Sequence, residues 1–370
     1  MNYIKKFLKL MRMGEWLWEG EKKADAPSPP PPTPPPSRGR NKRHDCEDSL
    51  KLIRMGANCL LAILPPCPLV ILRREVMANK IKAALEAGEV VVGPFIISSA
   101  PILVELAGYV GFDFVIIDME HTSTDFIIAE QMVLAAKASN VVPGIRVPEN
   151  RPTHILRALE IGAEIIDVPL VSTRDEAASV VRSGKYFPLG ERGCAPITRG
   201  NLYGSYGALG GVAETLRRAN ENTMLMVQIE TREGVENVDE IASTDYIDIV
   251  FVGPADLSQS LGIPGQYDNP IFDQAVKKVL RTIRDKGKFA GIFVIGGAEV
   301  GRKWVDEGAQ LLTPFADSYQ IYLCWKDVVE SYESTIKAKT SPVKPEVWRL
   351  QPQEAKEKRG NPNDDWFDVI

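Results

Sequence analysis

TMLMVQIE (residues 223–230) and, after a short connection, IDIVFVGPADLS (residues 247–258) decide the reading of this chain. Each begins as an apolar run rich in β-branched or long aliphatic residues, and each closes on an acidic residue, Glu230 in the first and Asp256 in the second. A strand buried on both faces reads as a continuous apolar run, and a crossover segment between two such strands returns the chain in parallel. The two carboxylates then fall at one end of one sheet. Hard divalent cations take oxygen ligands and often use one or two carboxylates, so Glu230 and Asp256 form a candidate metal site. Taken singly, Glu230 could serve the helix cap at Thr231 and Asp256 an Asx turn. The pairing is what points to chemistry.

Working outward, the same pattern recurs. VVVGPFI (90–96), FDFVIID (112–118), VVPGIRV (141–147), EIIDVPL (164–170), FAGIFVI (289–295) and QLLTPFA (310–316) join the first two runs to make eight, with helical patterns between them. Eight such units over residues 77–335 match the count and size of a (β/α)8 TIM barrel. A doubly wound sheet is the structural rival. The barrel is favoured because Asp118, Arg146, Glu230 and Asp256 all stand at or just past strand C-termini, the face on which barrel enzymes carry their chemistry.

The ends of the chain differ from this core. Residues 1–76 carry 14 Lys and Arg against 8 Asp and Glu, a balance of +6 that leaves −11 for the remainder of a chain whose net charge is −5. An acidic body excludes nucleic acid as the main partner, since phosphate binding needs a basic face. PSPPPPTPPP (27–36) favours an extended polyproline stretch, so residues 1–76 read as a disordered, proline-rich extension. Its apolar part is broken by Pro65, Pro66 and Pro68 and is too short to span a bilayer. The basic, partly amphipathic opening MNYIKKFLKLMRMGEWLW leaves organelle targeting open. Residues 336–370 read as a charged arm or tail. The five cysteines show no paired spacing, which suits a reducing, cytoplasmic compartment.

Asp118-Met119-Glu120-His121 follows the second run directly, and the chain holds only three histidines. An Asp close to a His can set its tautomer and raise its basicity, as a general base requires, although a structural histidine satisfies the same pattern. Arg146 interrupts an otherwise apolar strand. A buried guanidinium needs an anion, which either a neighbouring carboxylate or a substrate oxyanion supplies. No lysine stands in any of the eight runs, which disfavours a Schiff-base aldolase.

GFDFVIIDMEH, VVPGIRV, MVQIET and FVGPADLSQSLG, in this order and spacing, resemble the HpcH/HpaI aldolase/citrate lyase family, over about residues 80–330. The resemblance implies a divalent-metal-dependent (β/α)8 enzyme, using Mg²⁺, Mn²⁺ or Co²⁺, that converts 4-hydroxy-2-oxoacids to pyruvate and an aldehyde through a metal-stabilised enolate. It implies a homo-oligomer, commonly a hexamer with the eighth helix exchanged, acting on small-molecule 2-oxoacids and aldehydes. It assigns Glu230 and Asp256 to the metal, His121 to acid–base work through a water and Arg146 to the enolate oxygen. Gln228 would neighbour the oxoacid, and the backbone amides of Ala255 and Asp256 would hold its carboxylate. Glu160, in ALEIGAE, stands where many relatives have an Asp that supports the histidine. Either Glu160 substitutes for it, or Asp118 alone orients His121. An acyl-CoA lyase resembling citrate lyase, and a decayed barrel that binds partners through its proline-rich arm, are the alternatives. The first calls for a basic patch, and the intact Glu230, Asp256, His121 and Arg146 weigh against the second.

Overall fold

Each of the eight apolar runs forms strand in the computed structural model, which describes residues 79–204 and 207–336. The first run divides into β1 (Val91–Val92) and β2 (Phe95–Ile96). The others give β3 (Phe114–Asp118), β4 (Val142–Arg146), β5 (Ile165–Val168), β6 (Met224–Ile229), β7 (Ile249–Val252), β8 (Phe289–Phe293) and β9 (Leu311–Thr313). All pair in parallel in the order β1-β9-β8-β7-β6-β5-β4-β3-β2, a curled nine-stranded sheet. Its two outer pieces are fragments of one run: Val91 pairs with Leu311, and Phe95 with Ile116. Between them lie Gly93, where a Cβ would meet the Phe114 carbonyl oxygen at 2.1 Å, and Pro94, which has no N–H to give a ladder.

The returning helices are α1 (Lys80–Glu86), α2 (Pro101–Val110), α3 (Phe126–Ser139), α4 (Pro152–Glu160), α5 (Arg174–Gly184) and α6 (Gly207–Asn222). After β6 come the short α7 (Arg232–Glu236) and α8 (Val238–Ala242), then α9 (Pro254–Ser260), α10 (Pro270–Asp285), α11 (Ala298–Asp306) and α12 (Asp317–Thr335). Local chemistry starts several of them. Proline occupies the first turn of α2, α4, α9 and α10, and α5 opens on a capping box of Thr173 and Glu176.

Side chains alternate between two cores. Phe95, Phe114, Ile116, Ile165, Met226 and Phe251 fill the inside of the curl, while their sequence neighbours, such as Val115, Ile166, Val227 and Val250, pack outward with the helices. Asp118, Arg146, Asp167, Gln228 and Glu230 continue the inward alternation at the C-terminal ends of β3 to β6. The fold therefore concentrates polar groups at that end.

The last helix departs from this packing. Asp317 is buried and accepts from the Ile97 N–H at 2.8 Å, but Tyr322, Trp325, Val329 and Tyr332 lie exposed along α12. Ile102, Leu106, Tyr109 and Val110 are likewise exposed on α2. Among the described residues no helix is long and apolar enough to cross a membrane. The extension expected over residues 1–76 and the arm beyond Ile336 lie outside the described residues.

Candidate functional site

Asp118 and Arg146 are register partners on adjacent strands, which places a guanidinium beside a carboxylate at the same height. The pair is bidentate, with Nε donating to Oδ1 at 2.7 Å and Nη2 to Oδ2 at 2.8 Å, and Asp118 is fully buried. The Asp118 contacts raise the Arg146 pKa against the opposing effect of burial, so the cation is permanent. Arg146 Nη1 lies 3.2 Å from Glu120 Oε2, close but without hydrogen-bond alignment. Its guanidinium carbon sits 4.8 Å from the Phe95 ring centroid, a cation–π contact that makes Phe95 a wall of the site. His121 is largely exposed, with Nε2 3.7 Å from Glu120 Oε2.

Just past β6, Glu230 is only 3% exposed. Burial pushes its carboxyl up to about 7, against the hydrogen bond from the Leu170 N–H at 2.9 Å. Leu170 donates from a left-handed conformation, φ 56°, which costs a branched residue energy and recurs at functional sites. Gly253 leaves room for this carboxylate, because a Cβ there would meet Glu230 Oε2 at 2.5 Å. Asp256 is half-buried in the first turn of α9, whose early N–H groups, including those of Ala255 and Asp256, have no acceptor within the helix. Gln228 Nε2 contacts Asp167 Oδ2 at 2.5 Å, and both residues are fully buried. Burial raises the Asp167 pKa well above the usual carboxylate range, with Arg146 opposing it, and burial raises that of Glu120.

These groups surround one cleft of about 200 Å³, lined by Phe95, His121, Arg146, Gln228, Glu230, Ala255 and Asp256, with Phe251 and Phe293 beside them. Around the single guanidinium stand the carboxyls of Asp118, Glu120, Asp167 and Glu230. That surplus of acid, with all-oxygen donors at Glu230 and Asp256, suits a hard divalent cation. Among the described residues no three His, Cys, Asp or Glu side chains form a closed metal cage. Glu230 and Asp256 as a candidate donor set would leave positions for water or substrate oxygens.

The structure brings His121, Arg146, Gln228, Glu230, Ala255 and Asp256 to one cleft. Asp118 lies directly beneath, but both its oxygens serve Arg146, and Glu120 is the acid beside His121. Glu160 is not brought to the cleft. It ends α4, which runs back toward the N-terminal end of β5, where its charge acts on Arg192. Asp167 and Glu120 were not singled out from the sequence. The signal for Asp167 was its place in EIIDVPL, an acid where the inward alternation meets the strand end, as at Asp118.

The chain matches the HpcH/HpaI aldolase/citrate lyase family model over residues 92–313. It is 36% identical over 246 residues to a 5-keto-4-deoxy-D-glucarate aldolase of Escherichia coli, covering 66% of this chain and 93% of the relative. An HpcH/HpaI aldolase from Desulfitobacterium hafniense superposes with a TM-score of 0.64 at 30% identity, over 71% of this chain and 98% of its own. The citrate synthase SbnG superposes with a TM-score of 0.62 at 28% identity, over 68% of this chain and 97% of its own. With strand-end acids and a guanidinium facing one cleft, the chain belongs to the HpcH/HpaI aldolase/citrate lyase family and is a carbon–carbon lyase.

Proposed function

We propose that this lyase cleaves, or in reverse forms, 4-hydroxy-2-oxoacids, giving pyruvate and an aldehyde, with oxaloacetate decarboxylation as a side reaction. The observation that carries the reading is a buried carboxylate, Glu230, and a fixed guanidinium, Arg146, lining the same cleft. The substrate named for the Escherichia coli relative supports it: counted from its keto end, 5-keto-4-deoxy-D-glucarate is itself a 4-hydroxy-2-oxoacid. A divalent cation, Mg²⁺, Mn²⁺ or Co²⁺, held by Glu230 and Asp256 would supply Lewis-acid polarisation of the C2 carbonyl.

Cleavage of the C3–C4 bond leaves its electron pair on the C2 oxygen as an enolate, which becomes pyruvate on protonation at C3. Arg146, held in place by Asp118 and Phe95, stabilises the developing charge from a direction fixed before reaction. The C4 hydroxyl must lose a proton, and His121 takes it, directly or through a water, with Glu120 beside the resulting imidazolium. Free first-turn N–H groups at Ala255 and Asp256 receive the oxoacid carboxylate. No lysine is among the residues lining the cleft, so the Schiff-base route has no nucleophile there. The acyl-CoA alternative is less well supported, because the one guanidinium of the lining is already bound by Asp118.

The scaffold reading belongs with this proposal. Counting β1 and β2 as one strand bent at Gly93-Pro94 makes the sheet an eight-stranded (β/α)8 barrel closed on itself. The exposed apolar faces of α12 and α2 suit exchange of α12 between copies in a homo-oligomer. Cys194 and Cys324 are both free, in keeping with a cytoplasmic enzyme. The test is a panel of aldehydes with pyruvate and each cation, read by the mass of the adduct. Adduct formation that stops on chelation and in Glu230→Gln is expected; full turnover after chelation overturns the reading.

A further inference from the structure

We propose that Asp167 is a positioning residue, kept as a neutral carboxylic acid whose O–H donates to the side-chain oxygen of Gln228, so that the Gln228 NH2 group faces the cleft and its bound oxoacid. The inference deepens the proposed function and rests on that reading for the identity of the ligand.

Four observations converge on it. The pair is fully buried, so each side chain depends on a partner for its polar atoms. With Gln228 Nε2 set toward Asp167 Oδ2, two acceptors, Asp167 Oδ1 and Gln228 Oε1, are left buried with no donor. A buried unsatisfied group costs about 1–3 kcal/mol. Turning the amide by half a rotation leaves the heavy atoms where they are, because its oxygen and nitrogen are nearly the same shape. The contact then becomes O–H···O, and its 2.5 Å length lies inside the range for that bond and below the range for N–H···O. The orphaned Oε1 becomes an NH2 of a residue that lines the cleft, a donor that an anionic ligand can satisfy, while Asp167 Oδ1 keeps no donor.

Charge balance explains why the acid keeps its proton. The charged groups acting on Asp167 are Arg146 on β4, Glu230 beyond β6 and Glu120 beyond β3. Arg146 is the single side-chain cation among them, its fork is already closed on Asp118 with Nη1 turned to Glu120, and a divalent cation at Glu230 and Asp256 would be matched by those two carboxylates. An ionised Asp167 would be a further buried anion without a counter-charge of its own. Burial raises its pKa in agreement. A buried acid held neutral in this way can serve as a hydrogen-bond donor at neutral pH. Gln228 in turn offers N–H groups to an anionic ligand where an amide oxygen would repel it.

The test compares Asp167→Asn and Asp167→Leu with the wild-type full-length chain. Asn keeps the shape and an N–H donor toward Gln228, whereas Leu removes the donor. Infrared difference spectra of the substrate-free proteins should show a protonated-carboxyl carbonyl band in the wild type that is absent from Asp167→Asn. In pyruvate-forming cleavage, Asp167→Asn should hold KM within about threefold, while Asp167→Leu should raise it about 10- to 100-fold with a smaller change in kcat. A missing band, or equal KM losses in both variants, overturns the proposal. If Asp167→Leu does not fold, the band and the Asn kinetics still decide. The infrared arm needs no substrate, so failure to turn over any oxoacid would count against the proposed function and leave this arm standing.

Discussion

The two ends of the sheet handle buried charge in opposite ways. At the N-terminal ends of the strands, Lys185 Nζ donates to the carbonyls of Asn220 and Thr223 at 2.8 and 2.6 Å. Lys288 Nζ donates to Thr244 and Ile247 at 3.0 and 2.8 Å, and Asp248 takes both Lys82 and the Leu225 N–H. Arg192 is the exception, stacked on Tyr186 with Nε and Nη2 unpartnered. At the C-terminal ends, by contrast, carboxyls crowd one guanidinium, and Glu120 Oε2 and Asp167 Oδ1 find no donor. The first arrangement spends its charges on holding backbone in place. The second leaves them available, as a binding site must.

Arg146→Ala should produce the largest effect, because it breaks the crowded end twice over. Activity should fall on the order of 10²- to 10³-fold for the lost charge stabilisation. Stability should fall by about 3–5 kcal/mol because Asp118 stays buried without its partner. Kinetics and chemical denaturation check both. Arg146→Lys should not restore activity, since an ammonium cannot make the same fork.

Lys185 probes the opposite end. Burial lowers its pKa from 10.5 to about 8, so between those values the unfolded chain binds more protons than the folded one. Unfolding free energy should therefore rise with pH across that window, by about 3 kcal/mol, and the penalty is fully present below pH 8. Lys185→Met should flatten that rise without changing kcat/KM. A wild-type curve that falls between pH 8 and 10.5 would contradict the assignment.

Gly253→Ala should come next, because the new methyl displaces Glu230 Oε2. Overpacking of this kind costs about 1–3 kcal/mol, and the loss of cation affinity should exceed what the melting temperature suggests. The exposed Arg302–Asp306 pair, at 2.9 Å, sets the lower bound: Arg302→Ala should shift stability by about 0.5 kcal/mol or less.

Much of this architecture was legible because burial on both faces writes strands as apolar runs, and all eight runs became strands. The break within VVVGPFI needed the structure, since Gly93 is required by the approach of the Phe114 carbonyl from another strand. Asp118, Arg146, Glu230 and Asp256 stood out as polar residues at strand ends. Their pairing did not: the expectation that Asp118 orients His121 overlooked that Arg146 is its register partner. Asp167 was hidden because one acid inside an apolar run looks like noise until its inward neighbours are known. Glu160 was placed by its helix, and only the direction of α4 shows that it ends away from the cleft.

The central claim is that Arg146 stabilises the enolate while His121 moves the C4 hydroxyl proton. Aldol cleavage and oxaloacetate decarboxylation, measured side by side in His121→Ala and Arg146→Ala, test it directly, because decarboxylation reaches the same enolate without that proton transfer. His121→Ala should lose aldol cleavage by on the order of 10²- to 10⁴-fold and keep most decarboxylation, while Arg146→Ala should lose both. Equal losses of the two reactions in both variants would contradict the division of roles.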